Sequence, residues 1–180
     1  TSGNTGVGLA VACAVKGYGL ICTMPDKMSQ EKINLLRGLG AKVVVTPTAV
    51  PYDDPRHYVQ TAKRIARETP NALYIDQFNN PDNPEAHYRT TGPEIWEQTG
   101  GQVTHFVTGL GTTGTFVGVV RRLRELNPDL CAIAVQPESP LHGLEGLKHL
   151  GTAVRPGIFD PSLVDETLER ECQPVAFRRP

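Results

Sequence analysis

Short apolar runs alternate with stretches of helical periodicity along most of the chain. Strands are predicted where β-branched and other apolar residues form short runs, at 20–24, 42–46, 72–75, 103–108, 132–136 and 163–168. Helices are predicted where apolar residues recur at intervals of three and four, at 7–15, 29–39, 57–68, 85–98 and 116–126. This alternation predicts an α/β fold in which parallel sheets are joined by crossover helices.

Three of the helices carry further signals. The first, at 7–15, is apolar almost throughout, which predicts that it is buried. Ser29 is a predicted N-cap for the second helix, because its hydroxyl can accept a hydrogen bond from a backbone N–H of the first turn. Pro93 interrupts the fourth helix, at 85–98, so we expect a break there.

A dense run of turn-forming residues lies near the middle of the chain. Asn, Asp and Pro fill most of positions 76–84, and these residues favour turns over regular structure. We therefore expect two α/β domains, the first at 1–78 and the second at 79–180.

The most informative segment is the glycine-rich turn Gly109-Leu110-Gly111-Thr112-Thr113-Gly114-Thr115, which follows a predicted strand and precedes a predicted helix. Backbone N–H groups and the positive end of the helix meet there, which favours an anion. The hydroxyls of Thr112, Thr113 and Thr115 add donors at the same place. The turn is therefore a predicted phosphate cradle.

The same turn also fits the dinucleotide-binding pattern G-x-G-x-x-G. That pattern expects an acidic residue near the end of the following strand, where it binds a ribose hydroxyl. Gln136 stands at that position, and Glu138 lies beyond Pro137. The motif favours a phosphate monoester over a dinucleotide, and a purely structural turn is a third interpretation.

A second turn of similar composition, Thr1-Ser2-Gly3-Asn4-Thr5-Gly6, precedes the first predicted helix. Two anion-binding turns indicate one ligand with a phosphate and another with a carboxylate. Asn4 tolerates left-handed backbone, so a structural role in the turn is the alternative for this residue. Gln77, in the later run of turn formers, is either a polar site residue or part of a hinge.

Composition narrows the function classes. A net charge of −1, with 39% hydrophobic and 21% charged residues, is typical of a soluble globular protein. The chain has no basic patch with interleaved aromatics and no apolar run that could span a bilayer, so we expect neither nucleic acid nor membrane as a partner, and a cytoplasmic location. Cys13, Cys22 and Cys131 are predicted core thiols, and no metal site is expected. The five histidines are interpreted as surface or packing residues.

Several longer motifs follow one another along the chain: Thr1-Ser2-Gly3-Asn4-Thr5-Gly6, Met24-Pro25-Asp26-Lys27-Met28-Ser29, Gln77-Phe78-Asn79-Asn80-Pro81, Thr90-Thr91-Gly92-Pro93-Glu94-Ile95 and Gly111-Thr112-Thr113-Gly114-Thr115. In this order they closely resemble the cysteine synthase and cystathionine β-synthase family of pyridoxal-phosphate enzymes. Thr112-Thr113-Gly114 and Pro156-Gly157-Ile158-Phe159 look most like the cysteine synthase B, or O-acetylserine sulfhydrylase, branch. The segment Met28-Ser29-Gln30-Glu31-Lys32 looks more like cystathionine β-synthase.

The resemblance implies the tryptophan synthase β-like fold of two α/β domains, with pyridoxal 5′-phosphate as cofactor. It implies that the cofactor phosphate is held by Gly111, Thr112, Thr113, Gly114 and Thr115. Asn4 would hydrogen-bond the 3′-oxygen of the pyridine ring. The α-carboxylate of an amino-acid substrate would be bound by Thr1, Ser2, Gly3 and Thr5, with Gln77 assisting.

The chemistry that the resemblance implies is β-replacement. A thiol nucleophile, sulfide or homocysteine, would replace the β-substituent of O-acetylserine or serine and give cysteine or cystathionine. The cofactor would act as electron sink, while the protein supplies positioning and electrostatics. The full-length protein would be a homodimer.

Two parts of the family pattern have no counterpart in the sequence. The lysine that forms a Schiff base with the cofactor belongs to a motif ahead of the turn at Thr1, and the serine that meets the pyridine nitrogen belongs to a later turn. We therefore expect a fragment, incomplete at both ends, without a catalytic residue of its own and inactive alone.

Two other function classes compete with a pyridoxal-phosphate enzyme. A nicotinamide-dependent dehydrogenase would use the same glycine turn. A non-catalytic module would bind a phosphorylated metabolite or a partner there.

Overall fold

A computed structural model describes residues 4–144 and 146–170 of the chain. The chain divides into two compact units, Thr1–Tyr74 and Ile75–Pro180. This division lies a few residues before the expected boundary between positions 78 and 79. Hydrogen bonds explain the difference, because Asn80 Nδ2 donates to the carbonyl of Ile75 and the N–H of Ile158 donates to the carbonyl of Phe78. The turn-rich segment is thus bonded within the second unit.

The first unit pairs two parallel strands and packs three helices with them. Its elements are α1 (Asn4–Lys16), β1 (Ile21–Pro25), α2 (Gln30–Gly38), β2 (Lys42–Thr46) and α3 (Tyr58–Glu68). Ile21 lies opposite Lys42 in the sheet, and Pro25 lies opposite Thr46. The core of this unit consists of Ala10, Cys22, Met24, Ile33, Leu36 and Ala41.

Two expectations for this unit have different outcomes. Ser29 is the N-cap of α2, as predicted, and its hydroxyl accepts a hydrogen bond from the N–H of Lys32 at 3.4 Å. The expectation that the first helix is buried is wrong, because Val11 and Val15 are 48% and 83% exposed. Within its unit, α1 contributes one stripe to the core, around Ala10.

The second unit contains a three-stranded parallel sheet with strand order β3-β4-β5. Its elements are α4 (Asp82–Arg89), α5 (Thr91–Gln98), β3 (His105–Gly109), α6 (Gly114–Leu126), β4 (Cys131–Pro137), a 3-10 turn (Pro161–Leu163) and β5 (Glu166–Arg170). The parallel sheets with connecting helices confirm the predicted α/β fold.

Two local predictions in the middle of the chain are wrong. Residues 72–75 do not form a strand; the N–H of Ala72 instead donates to the carbonyl of Thr69, which closes a turn. The helical region breaks at Thr90, where φ is −120° and ψ is −71°, and not at Pro93. Pro93 lies in the first turn of α5, where its missing N–H costs no helical hydrogen bond.

Helix α6 is the central element of the second unit. Its buried face includes Phe116, Val119, Val120 and Leu123, each with no exposed surface. Phe116 and Val120 pack against the small side chains of Ala132 and Ala134 on β4. Burial of each such large side chain stabilises the fold by roughly 1.5–3 kcal/mol. Strand β3 ends at Gly109 and α6 begins at Gly114. The packing of α6 against the sheet therefore holds the short connecting turn in place.

Candidate functional site

The glycine-rich turn leads directly from β3 into α6. Thr113, the N-cap residue, adopts a left-handed backbone with φ of 71°, and among the described residues its side chain makes no capping hydrogen bond. The first turn of α6 contains no Asp or Glu. The first N–H groups of a helix have no partner within the helix. Apart from the N–H of Gly114, which makes a weak hydrogen bond to Oγ1 of Thr112, the beginning of α6 therefore presents N–H donors without a side-chain cap and a positive dipole end.

Three glycines of the turn are each packed by a different part of the unit. A β-carbon on Gly109 would lie 2.6 Å from the side chain of Leu147, and one on Gly111 would lie 2.5 Å from the carbonyl oxygen of Gly146. A β-carbon on Gly114 would overlap the side-chain amide of Asn83. At these three positions the absence of a side chain therefore allows close packing within the protein.

Thr112 is half-buried and makes two hydrogen bonds through its hydroxyl. Its Oγ1 accepts one from Asn83 Nδ2 at 3.2 Å and a weaker one from the N–H of Gly114 at 3.4 Å. Both contacts use the oxygen as an acceptor, so the hydroxyl proton is left for a further acceptor. Thr112 can therefore donate to an anion.

Thr115 lies one residue into α6 and contacts a histidine. Its Oγ1 is 3.1 Å from Nε2 of His87, and Nδ1 of His87 is 2.9 Å from Oγ1 of Thr91. Burial lowers the pKa of the His87 imidazole, which favours the neutral ring. In the tautomer with a proton on Nε2, the ring donates to Thr115 and leaves the threonine hydroxyl proton for a ligand.

Thr113 differs from its two neighbours. Its side chain is 2% exposed, and Oγ1 has no hydrogen-bond partner among the residues that the structure describes. Because Oγ1 of Thr113 is buried, the structure does not support the expectation that all three hydroxyls add donors at one place. Its backbone N–H remains part of the turn.

The other predicted site residues lie in three places. Asn4 and Thr5 are exposed at the beginning of α1. Thr1, Ser2 and Gly3 lie outside the described residues. Gln77 is half-buried in the second unit, and its carbonyl oxygen accepts a hydrogen bond from Asn83 Nδ2 at 2.7 Å.

Gln136, at the position where a dinucleotide site expects a carboxylate, has a structural role. Its Oε1 accepts a hydrogen bond from the N–H of Leu150 at 3.0 Å, and its Nε2 donates to Glu169 Oε1 at 2.9 Å. Both ends of the side chain are thus engaged in joining β4, β5 and the following loop. This arrangement gives no support to a ribose-binding role.

Asn83 and His87 contact the turn, and neither is predicted as a site residue from the sequence. They stand one helical turn apart on α4, so they share a face of that helix. A spacing of four residues places two side chains on the same face of a helix. It indicates a role at the site only once α4 is known to lie beside the turn. The interpretation of His87 as an ordinary surface or packing residue is incomplete.

The residues of the turn fit a phosphate group. The free N–H groups at the beginning of α6 and the hydroxyl of Thr112 can donate to an anion, and so can the hydroxyl of Thr115 when His87 carries its proton on Nε2. The first turn of α6 carries no carboxylate that would repel an anion. The inward hydroxyl of Thr113 reduces the expected donor set by one group.

Residues 4–144 and 146–170 offer neither a metal site nor a membrane-spanning helix. This part of the chain holds no cluster of three or more His, Cys, Asp or Glu side chains that could bind a metal ion. None of its helices combines the length and apolar character needed to cross a membrane. Cys22 is a buried thiol, and burial raises its pKa, while Cys13 and Cys131 are only partly buried.

Comparisons with known proteins agree with the resemblance inferred from the motifs. A family model described as "Pyridoxal-phosphate dependent enzyme" matches residues 1–171. Cysteine synthase B of Escherichia coli strain K12 is 45% identical over 172 residues, which cover 94% of this chain and 54% of that protein. Cystathionine beta-synthase of Apis mellifera is 40% identical over 181 residues, which cover 95% of this chain and 36% of that protein.

A solved structure is similar along nearly the whole chain. A hydrogen sulfide-producing enzyme from Fusobacterium nucleatum has a TM-score of 0.86 and 34% sequence identity, over 95% of this chain and 59% of that one. The predicted fold family is thereby confirmed. The chain spans about half the length of the cysteine synthase B that it matches.

Proposed function

The chain belongs to the family of pyridoxal-phosphate dependent enzymes, and from this premise we propose that it is the cofactor-phosphate and substrate-turn portion of a cysteine synthase. The observation that carries the proposal is the uncapped beginning of α6, flanked by the hydroxyls of Thr112 and Thr115. This donor set suits the phosphate monoester of pyridoxal phosphate, which presents several oxygens with negative charge.

The second unit would bind the cofactor phosphate. Backbone N–H groups from Gly111 to Thr115 would donate to its oxygens, and the α6 dipole would favour its charge. The hydroxyls of Thr112 and Thr115 would add two donors. Each hydrogen bond to a charged oxygen contributes on the order of 1.5–3 kcal/mol.

The first unit would contribute the turn that begins at Thr1. We propose that Asn4 donates to the ring oxygen of the cofactor and that Thr1, Ser2, Gly3 and Thr5 bind the α-carboxylate of an amino acid. The described part of this turn, Asn4 and Thr5, is exposed at the beginning of α1, where backbone N–H groups favour a carboxylate. Gln77, in the second unit, would assist through its half-buried side-chain amide.

The proposed reaction is β-replacement on O-acetylserine or serine, with sulfide as the nucleophile and cysteine as the product. The bound cofactor supplies the electron sink that this chemistry needs. The residues of this chain would fix the phosphate, orient the carboxylate and hold the reacting carbon in one place. In the full-length protein we propose a homodimer in the cytoplasm.

Cystathionine β-synthase is the second candidate, with homocysteine as the nucleophile and cystathionine as the product. The observation that favours it is the 40% identity to the Apis mellifera protein over 95% of the chain. Cysteine synthase is preferred because identity to the Escherichia coli protein is 45% over a similar length.

The experiment uses the protein expressed from its complete gene and loaded with pyridoxal phosphate. The visible absorption band is expected to shift when O-acetylserine is added, and sulfide is expected to restore it while cysteine accumulates. For the second candidate, cystathionine β-synthase, the same experiment uses serine and homocysteine, and mass spectrometry measures the cystathionine formed. A loaded protein whose spectrum responds to neither amino acid would contradict both.

A further inference from the structure

Asn83 joins two segments of the second unit through a single side-chain amide. Its Nδ2 donates one hydrogen bond to the carbonyl oxygen of Gln77, at 2.7 Å, and another to Oγ1 of Thr112, at 3.2 Å. Both protons of the NH₂ group are therefore used. The first acceptor is the backbone of Gln77, which is proposed to bind the substrate. The second acceptor, Thr112, belongs to the proposed phosphate cradle.

The packing around Asn83 holds its amide in this orientation. Its side chain lies against the α-carbon of Gly114, where a β-carbon would overlap it. The next residue, Pro84, is buried, and its carbonyl oxygen lies where a β-carbon on Gly118 would be. Helices α4 and α6 thus approach each other at two glycines, and Asn83 has little room for another rotamer.

The orientation of Asn83 has a consequence for Thr112. A threonine hydroxyl can donate one hydrogen bond and accept two. Because Asn83 and the N–H of Gly114 both donate to Oγ1, the proton of Thr112 is directed to a third group. Without Asn83, the hydroxyl of Thr112 loses the stronger of the two donors that hold it in this orientation.

We infer that Asn83 is a positioning residue for the phosphate site: it holds Thr112 as a donor and couples the cradle to the turn that carries Gln77. The inference rests on the proposed role of residues 111–115. Asn83 itself need not touch the cofactor, because it acts through Thr112. The coupling means that a change at Asn83 alters two segments together.

The experiment measures the dissociation constant of pyridoxal phosphate for variants of the protein expressed from its complete gene, together with the ³¹P chemical shift of the bound phosphate. Asn83→Ala is expected to weaken binding about tenfold and to move the ³¹P shift. Asn83→Asp keeps the shape beside Gly114 but loses both donors and adds a negative charge near the phosphate, so it is expected to weaken binding more.

Asn80→Ala is the matched control. Asn80 lies in the same segment, and its side chain also makes two local hydrogen bonds, with the carbonyl of Ile75 and the N–H of Asp82, neither of which belongs to the glycine-rich turn. We expect its cofactor affinity and ³¹P shift to equal those of the wild type. Thermal unfolding of each variant shows whether it folds. If Asn83→Ala does not fold, the cofactor affinity of Asn83→Asp is the test of the inference.

A double-mutant cycle with Thr112→Val separates this inference from the proposed function. If Asn83 acts through Thr112, the uncharged variant Asn83→Ala loses most of its effect on cofactor affinity in the Thr112→Val background. Fully additive effects, or an unchanged affinity in both Asn83 variants, would overturn the positioning role. If Thr112→Val and Thr115→Val both bind the cofactor as the wild type does, the phosphate site itself is wrong.

Discussion

Nε2 of His87 lies 3.1 Å from Oγ1 of Thr115, so helix α4 reaches the first turn of α6 through a histidine. The other ring nitrogen, Nδ1, lies 2.9 Å from Oγ1 of Thr91 at the beginning of α5. A neutral imidazole has one donor and one acceptor, which suits a chain of two hydroxyls. His87 therefore orients the hydroxyl of Thr115 through Nε2, and Thr91 orients His87 through Nδ1.

The first prediction concerns pH. Because burial lowers the pKa of folded His87, the unfolded chain takes up a proton first as pH falls through about 6.5. The contribution of His87 to stability is thus intact above that pH and declines as the pH falls towards the folded pKa. Urea unfolding at pH 8 and pH 5.5 is expected to show a smaller pH-dependent loss for His87→Gln than for the wild type. An equal loss in both proteins would contradict this assignment.

The second prediction concerns the contact between α4 and α6. A β-carbon on Gly118 would overlap the carbonyl oxygen of Pro84 and lie 2.8 Å from Cβ of His87. Gly118→Ala is therefore expected to lower the free energy of unfolding by at least about 2 kcal/mol. Gly8→Ala in α1 is the matched control, because a β-carbon there meets no atom of the described residues within 4 Å. It is expected to stabilise by about 1 kcal/mol through helix propensity, and chemical denaturation of both variants measures the contrast.

The third prediction concerns the inward hydroxyl of Thr113. A buried hydroxyl without a partner costs roughly 1–3 kcal/mol. Thr113→Val replaces it with a methyl group of similar shape and keeps the β-branch at the same left-handed position, so the free energy of unfolding is expected to rise by about 1 kcal/mol. Urea unfolding checks this. A clear loss of stability would show that the hydroxyl is bonded in the folded protein.

The sequence predicts the regular elements well where local signals act alone. The strand at 42–46 and the N-cap Ser29 follow from β-branched residues and from capping chemistry, and both are found as predicted. The helix break is misplaced because Pro93 is tolerated in a first turn. Whether a proline ends a helix or begins one depends on the residues around it, and Thr90 carries no strong breaking signal.

The site was only partly predictable for a different reason. The position of the turn between β3 and α6 follows from its glycines and from the apolar runs on either side. The roles of Asn83 and His87 depend on the close approach of α4 to Gly114 and Gly118, which no local pattern encodes. The left-handed backbone and the burial of Thr113 set it apart from its neighbours, and three threonines within four positions of a sequence give no sign of this difference.

The central claim is that the hydroxyls of Thr112 and Thr115 hold the phosphate of pyridoxal phosphate, while the hydroxyl of Thr113 does not. The most direct test is the dissociation constant of the cofactor for Thr112→Val/Thr115→Val beside that for Thr113→Val, in the protein expressed from its complete gene. We expect the double variant to bind at least about a hundredfold more weakly, from two lost hydrogen bonds to charged oxygens, and Thr113→Val to bind as the wild type does. Wild-type affinity in the double variant would contradict the claim.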